Sequence, residues 1–153
     1  MRISLRHNNV SGFTIIELIA VLAIIGIVAV VVIAKAIDTS AYSAVSEAEI
    51  LKANLRFAQV KSMGDVSPDT WGINVSSSSY TLTCIGANCP WPIPNLPGGN
   101  SATHTFGGVT ASPSTNITFD NWGSPGTTTF TITLTGGSQA QTVTVTKNTG
   151  FIP

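Results

Sequence analysis

The sequence predicts an α+β protein: a long N-terminal helix joined to a small antiparallel β domain. Three observations carry that expectation. An apolar run extends from Phe13 to Ala34, interrupted only by Thr14, Glu17 and Gly26. Helical spacing of apolar residues continues from Ile37 to Ala58. Beyond Asp65, Ser, Thr, Gly, Asn and Pro dominate and the apolar period becomes two. The expected shape is a lollipop, with the first half of the helix spanning a membrane and the second half packed on the sheet. The expected segments are a leader at 1–12, a membrane or core helix at 13–34, an amphipathic half at 35–64 and the β domain at 65–153.

A helix over Phe13 to Ala34 is about 33 Å long, enough to cross a bilayer core. Arg2 and Arg6 precede it, which puts the N-terminus on the cytoplasmic side and everything after the run outside. Glu17 is the anomaly. A carboxylate at mid-membrane costs about 2.5–3.5 kcal/mol or more and reads by default as functional. Its best cationic partner is an α-amine freed by cutting between Gly12 and Phe13.

Gly12-Phe13-Thr14-Ile15-Ile16-Glu17-Leu18, behind a basic leader and ahead of a long apolar helix, resembles the type IV prepilin and pseudopilin signal. The resemblance implies cleavage by a prepilin peptidase after Gly12 and methylation of the Phe13 amine. It implies that Glu17 pairs with the Phe13 amine of a neighbouring subunit during assembly. The partners implied are that peptidase, other pilin or pseudopilin subunits, an inner-membrane assembly platform and, before assembly, membrane lipid. The expected location is the bacterial inner membrane, single-pass with a periplasmic C-terminal domain, and later a periplasmic or extracellular filament. A rival reading takes Ala34-Lys35-Ala36 as the cleavage site of an ordinary secretory signal. The apolar region is too long for that, and Glu17 would sit in it without purpose.

From Ile37 onward, Ile37, Ala41, Val45, Ala48, Leu51, Leu55 and Ala58 mark one helix face. Asp38, Ser43, Glu47, Glu49, Asn54 and Arg56 fill much of the remainder, and Glu49 can pair weakly with Lys52. Gly64 is the expected stop. Together these give one helix of about fifty residues, near 78 Å if continuous. Gly26 weakens its first half. Pilins resembling this chain often carry a proline eight residues after such a glycine, where this chain has Ala34.

In the β domain, Thr128 to Thr135 and Gln141 to Thr146 alternate strictly, with Gly136-Gly137 between them. They read as a hairpin with threonine on the wet face. Further strands are expected at Trp71–Val75, Tyr80–Ile85 and Asn116–Phe119, with a short last one at Phe151-Ile152. The apolar face of this sheet is expected on the helix stripe. The stretch Ile117 to Pro125, then the hairpin, then Thr149-Gly150-Phe151-Ile152, is similar to the C-terminal domain of the GspH and FimT group of minor pseudopilins and minor pilins. Some FimT-like minor pilins bind DNA through basic residues near the C-terminus. Here Lys147 is the one basic side chain after Met63, so that property does not carry over and nucleic acid is not an implied partner.

Cys84 and Cys89 are close enough in sequence to read as a local disulfide in an exported domain. A metal site would need more ligands, and neither His7 nor His104 is suitably spaced, so no metal is expected. Pro90-Trp91-Pro92-Ile93-Pro94-Asn95-Leu96-Pro97 is too proline-dense for a central strand or a helix interior, and Trp91 and Ile93 are candidate contacts to a neighbouring subunit. Enzyme chemistry finds no support. His104 is the sole histidine beyond the leader, and Asp65, Asp69 and Asp120 form no recognisable pair. No catalytic residue or cofactor is expected. The expected function is that of a structural subunit, a minor pilin or pseudopilin of a type IV pilus or type II secretion pseudopilus. The alternative is a secreted or membrane-anchored β-rich binding module that never polymerises.

Overall fold

A computed structural model describes residues 13–37, 39–65 and 69–153. The basic leader with Gly12, and Asp38, lie outside the described residues. The chain forms two compact units, the second of which is Thr39–Pro153.

The first unit contains α1 (Ile15–Ile37). Thr14 starts it. Its Oγ1 accepts from the Glu17 N–H at 3.3 Å, and its carbonyl accepts from Leu18 N–H at 3.2 Å. This is the N-cap arrangement that satisfies an otherwise orphaned amide of the first turn. Every side chain from Phe13 to Val32 is exposed. The helix runs through Gly26, where a Cβ would meet nothing within 4 Å.

The second unit opens with α2 (Thr39–Gly64). Ala44, Ala48, Leu51, Leu55 and Ala58 are buried on one face. The stripe departs from the sequence reading at Val45, which is 48% exposed, while Ala44 takes the inward place. Glu47 and Asn54 also move from the expected polar side to buried positions, each with polar partners that local sequence does not reveal. Glu49 and Lys52 do pair, at 2.9 Å, on the surface.

Seven strands follow: β1 (Thr70–Val75), β2 (Ser79–Ile85), β3 (Thr103–Thr105), β4 (Thr110–Ser112), β5 (Thr115–Phe119), β6 (Phe130–Gly136) and β7 (Gln139–Val145). They make two antiparallel sheets, not one. The first has the order β3-β2-β1-β5 and the second β4-β6-β7. In the first, Ile73 pairs with both Leu82 and Ile117, and in the second Ile132 pairs with Val143. These inward residues and Leu134, Val145 and Phe119 are fully buried against the α2 stripe. Burying such a side chain contributes about 1.5–3 kcal/mol, so the alternation in the strands is what docks them on the helix. Leu51→Ala or Leu55→Ala would open a cavity there at a cost of about 2–5 kcal/mol.

The β6–β7 turn uses Gly137-Ser138, with Gly137 at φ +59° as its first central residue. A glycine in that place matches the right-handed twist of the strands. Phe151-Ile152 forms no strand. Residues 146–151 close instead into a turn, with Thr146 N–H donating to Phe151 O at 2.9 Å and Gly150 N–H to Thr146 O at 2.9 Å. Arg56 then donates to the Ile152 carbonyl at 2.9 Å. Ser62 fastens the C-terminal end of α2 by donating to Phe119 O and accepting from Trp71 N–H.

Candidate functional site

The start of α1 gathers the residues singled out by sequence, apart from Gly12, which lies outside the described residues. Phe13 is 86% exposed and precedes the first turn. Glu17 lies in that turn and is exposed. Thr14-Ile15-Ile16-Glu17 has the spacing of a capping box, so the Glu17 carboxylate sits where the helix dipole favours negative charge. Thr14 was not singled out by sequence reasoning, although Thr-x-x-Glu before an apolar run is a legible signal. Below it, Ile15–Val32 is long and apolar enough to cross a bilayer and is wholly exposed in the isolated chain. An apolar surface of that extent needs lipid or protein around it.

A family model described as the prokaryotic N-terminal methylation motif matches residues 7–33. The chain carries the N-terminal signal of type IV pilins and pseudopilins. No curated protein and no solved structure matches the chain. The pilin-type signal covers the second half of the leader and most of α1. The β domain lies beyond it, and no comparison bears on the expected likeness of that domain to the GspH and FimT group. The signal supports a pilin-like structural subunit processed by prepilin peptidase and assembled with other pilins. Signal and apolar helix together fit anchoring in the inner membrane.

In the second unit, several polar side chains are tied to one another or to backbone. Glu47 Oε2 lies 2.8 Å from His104 Nε2, and Glu47 Oε1 accepts from Gly107 N–H at 2.9 Å. Asn54 Nδ2 donates to the Tyr80 hydroxyl at 2.7 Å. Burial pushes the Tyr80 phenol up to about 12, against a smaller opposing effect of the Asn54 hydrogen bond; the nearby Glu47 charge also raises it. Asn54 Oδ1 is buried without a partner. The carboxylates beyond α2 are likewise engaged. Asp65 accepts from the Trp71 indole at 3.0 Å, buried Asp69 accepts from Asn88 N–H at 3.1 Å, and Asp120 caps its own turn.

Cys84 and Cys89 form a disulfide, with Cα atoms 5.7 Å apart. The Asp69 carboxylate lies within 4.8 Å of both sulfurs. Sulfurs joined to each other offer no thiolate to a metal, so this trio works as a brace: Asp69 and the disulfide hold the same short loop. Trp91 is 91% exposed, whereas Ile93 packs on the core of its own domain.

Proposed function

We propose that the chain is a structural filament subunit, a minor pilin or pseudopilin of a type IV pilus or type II secretion pseudopilus. Prepilin peptidase cuts between Gly12 and Phe13, and the new Phe13 amine is methylated. In the membrane, α1 is solvated by lipid. On assembly it exchanges lipid for the apolar helices of neighbours. Glu17 then neutralises the Phe13 amine of an adjacent subunit, which sets register because an unpaired charge among apolar helices is costly. The observation that carries this reading is the methylation motif at residues 7–33 laid over a helix whose side chains are all exposed from its first residue to Val32. A minor role draws on the similarity of the tail to the GspH and FimT group. The leader, residues 13–34, residues 35–64 and the β domain from 65 onward would then act as address, anchor, spacer and outer surface.

The test is the mature N-terminus, read by mass spectrometry of membrane and sheared extracellular fractions. A chain beginning at methylated Phe13 in the sheared fraction is the expected result. A chain beginning at Ile37, or one uncut at Met1, would replace the filament subunit with a secreted or anchored binding module.

A further inference from the structure

We propose that Asp69 is an electrostatic guard of the Cys84–Cys89 disulfide, holding a negative charge against both sulfurs so that thiolates are repelled from the bond. Guarding of this kind is a property of the β domain itself and does not depend on filament membership.

Burial does not protect the bond. Cys84, in the last turn of β2's path, and Cys89, in the loop after it, are both half-buried, and residues 85–88 between them are exposed. A small reductant can therefore reach the sulfurs. Asp69 is fully buried, and its carboxylate lies within 4.8 Å of both of them. It directly precedes β1, and the pairing of Thr70 with Ile85 sets it opposite Gly86. The loop is wrapped closely around it. Asn88 N–H donates to the two carboxylate oxygens at 3.1 and 3.4 Å. At Gly86 a Cβ would fall on the Asp69 carboxylate, so only bare backbone passes there.

No cation cancels the charge. Among the described residues no lysine, arginine or histidine forms an ion pair with Asp69. Lys61 lies over the Trp71 ring at 4.5 Å instead. A second anion that appears this close to a carboxylate in protein surroundings is strongly disfavoured.

Thiol–disulfide exchange needs such an anion twice. A thiolate attacks one sulfur and bonds to it while the Cys84–Cys89 bond breaks. The electron pair of that bond leaves on the other sulfur, which becomes a thiolate. A second thiolate then releases the mixed disulfide, so two cysteine sulfurs are reduced and two reductant thiols are oxidised to a disulfide. The incoming and the departing charge both meet Asp69. Because it is near both sulfurs, it opposes attack at either. The loop thus stays closed in the presence of anionic low-molecular-weight thiols. That loop leads the chain into Pro90 and the 91%-exposed Trp91.

The experiment uses the full chain in detergent micelles. Reduction is followed by alkylating the freed thiols and mass spectrometry. Cysteamine serves as a cationic thiol and 2-mercaptoethanesulfonate as an anionic one, at matched thiolate concentration. Asp69→Asn removes the charge and keeps a carbonyl acceptor for Asn88 N–H. It is expected to raise the rate with 2-mercaptoethanesulfonate about tenfold and the rate with cysteamine less, so the preference for the cationic thiol falls. The native chain with its β domain unfolded in urea gives the ratio of the two rates for an unguarded bond. The folded native chain is expected to exceed that ratio by about threefold or more, a comparison that holds even where Asp69→Asn does not fold. Equal acceleration with both thiols would mean a loosened loop. Slower exchange would mean a carboxylate that takes up thiol protons. A folded native ratio equal to the unfolded one would mean no repulsion at the bond. Each of these three results would overturn the guard.

Discussion

His104 Nε2 lies 2.8 Å from Glu47 Oε2, a contact that fastens β3 to α2 across 57 residues of chain. The other Glu47 oxygen takes Gly107 N–H, so one carboxylate serves both ends of a short segment. Truncating it strands two donors at a half-buried site. Glu47→Ala is expected to lower the stability of the β domain by about 2–3 kcal/mol. Glu49→Ala, which removes only the surface pair with Lys52, is expected to cost about 0.5 kcal/mol or less. Thermal unfolding of both variants in detergent micelles, followed by tryptophan fluorescence, checks the contrast.

Tyr80 gives the domain an alkaline limit. Its folded pKa, about 12, lies above the ordinary phenol value of 10.0. The stabilisation is therefore complete below pH 10 and is lost as pH rises from there through about 12, because the unfolded chain releases the phenolic proton first. The loss across that window is on the order of 3 kcal/mol. Tyr80→Phe is expected to be less stable at neutral pH, since Asn54 Nδ2 loses its acceptor, and to show a flatter stability profile between pH 10 and 12. An unchanged slope would show that Tyr80 does not set the limit.

Gly150 sits at φ +63°, and a Cβ there would collide with the Gly123 carbonyl and the Gln59 amide. Gly150→Ala is expected to cost about 2 kcal/mol or more, combining backbone strain with the broken tie. Gly126→Ala is the comparison. It shares the positive φ but has open space around it, so about 1 kcal/mol is expected. Equal losses in chemical denaturation would remove the packing part of the argument.

Removing the disulfide by Cys84→Ser with Cys89→Ser is expected to cost about 2 kcal/mol by loop entropy, since the bridged loop is short. Asp69 continues to hold Asn88, so the loop keeps part of its order. A midpoint shift on adding reductant to the native chain should match that of the double variant.

Glu17→Ala should insert and be cleaved as the native chain is, while its share in sheared filaments falls to a small fraction. Quantitative immunoblots of membrane and filament fractions separate the two steps. Normal incorporation would end the charge-pairing account of register.

The parts of this molecule legible in its sequence are those written in local periodicity. The run Phe130 to Leu134 and its partner Gln141 to Val145 alternate strictly, and both are strands. The N-terminal signal is likewise local, and Phe13, Glu17 and their surroundings could be read directly. What could not be read depends on distant partners. Strands β3 and β4 are three residues each, too short for a pattern, and exist because β2 and β6 offer them an edge. Glu47 and Asn54 looked like the wet side of an amphipathic helix; His104 and Tyr80 bring them inside. The Phe151-Ile152 pair has strand chemistry, but Gly150 turns the chain and Arg56 takes the carbonyl that a ladder would need. Two sheets replaced one for the same reason: sheet membership is a matter of long-range pairing, on which alternation is silent.

The tie that Gln59 makes to the carbonyls of Gly123 and Gly150, at 2.8 and 3.0 Å, joins the two ends of the β6–β7 excursion at its root. Between those glycines β6 and β7 pack back on α2 through Ile132, Leu134, Val143 and Val145, and their tip is exposed. The tip at Gly137-Ser138 can then lengthen or change composition at little entropic cost, while the root stays where it is. A domain built this way can present a new surface without re-engineering its attachment to α2, so the hairpin tip is the natural place to graft a tag or a peptide.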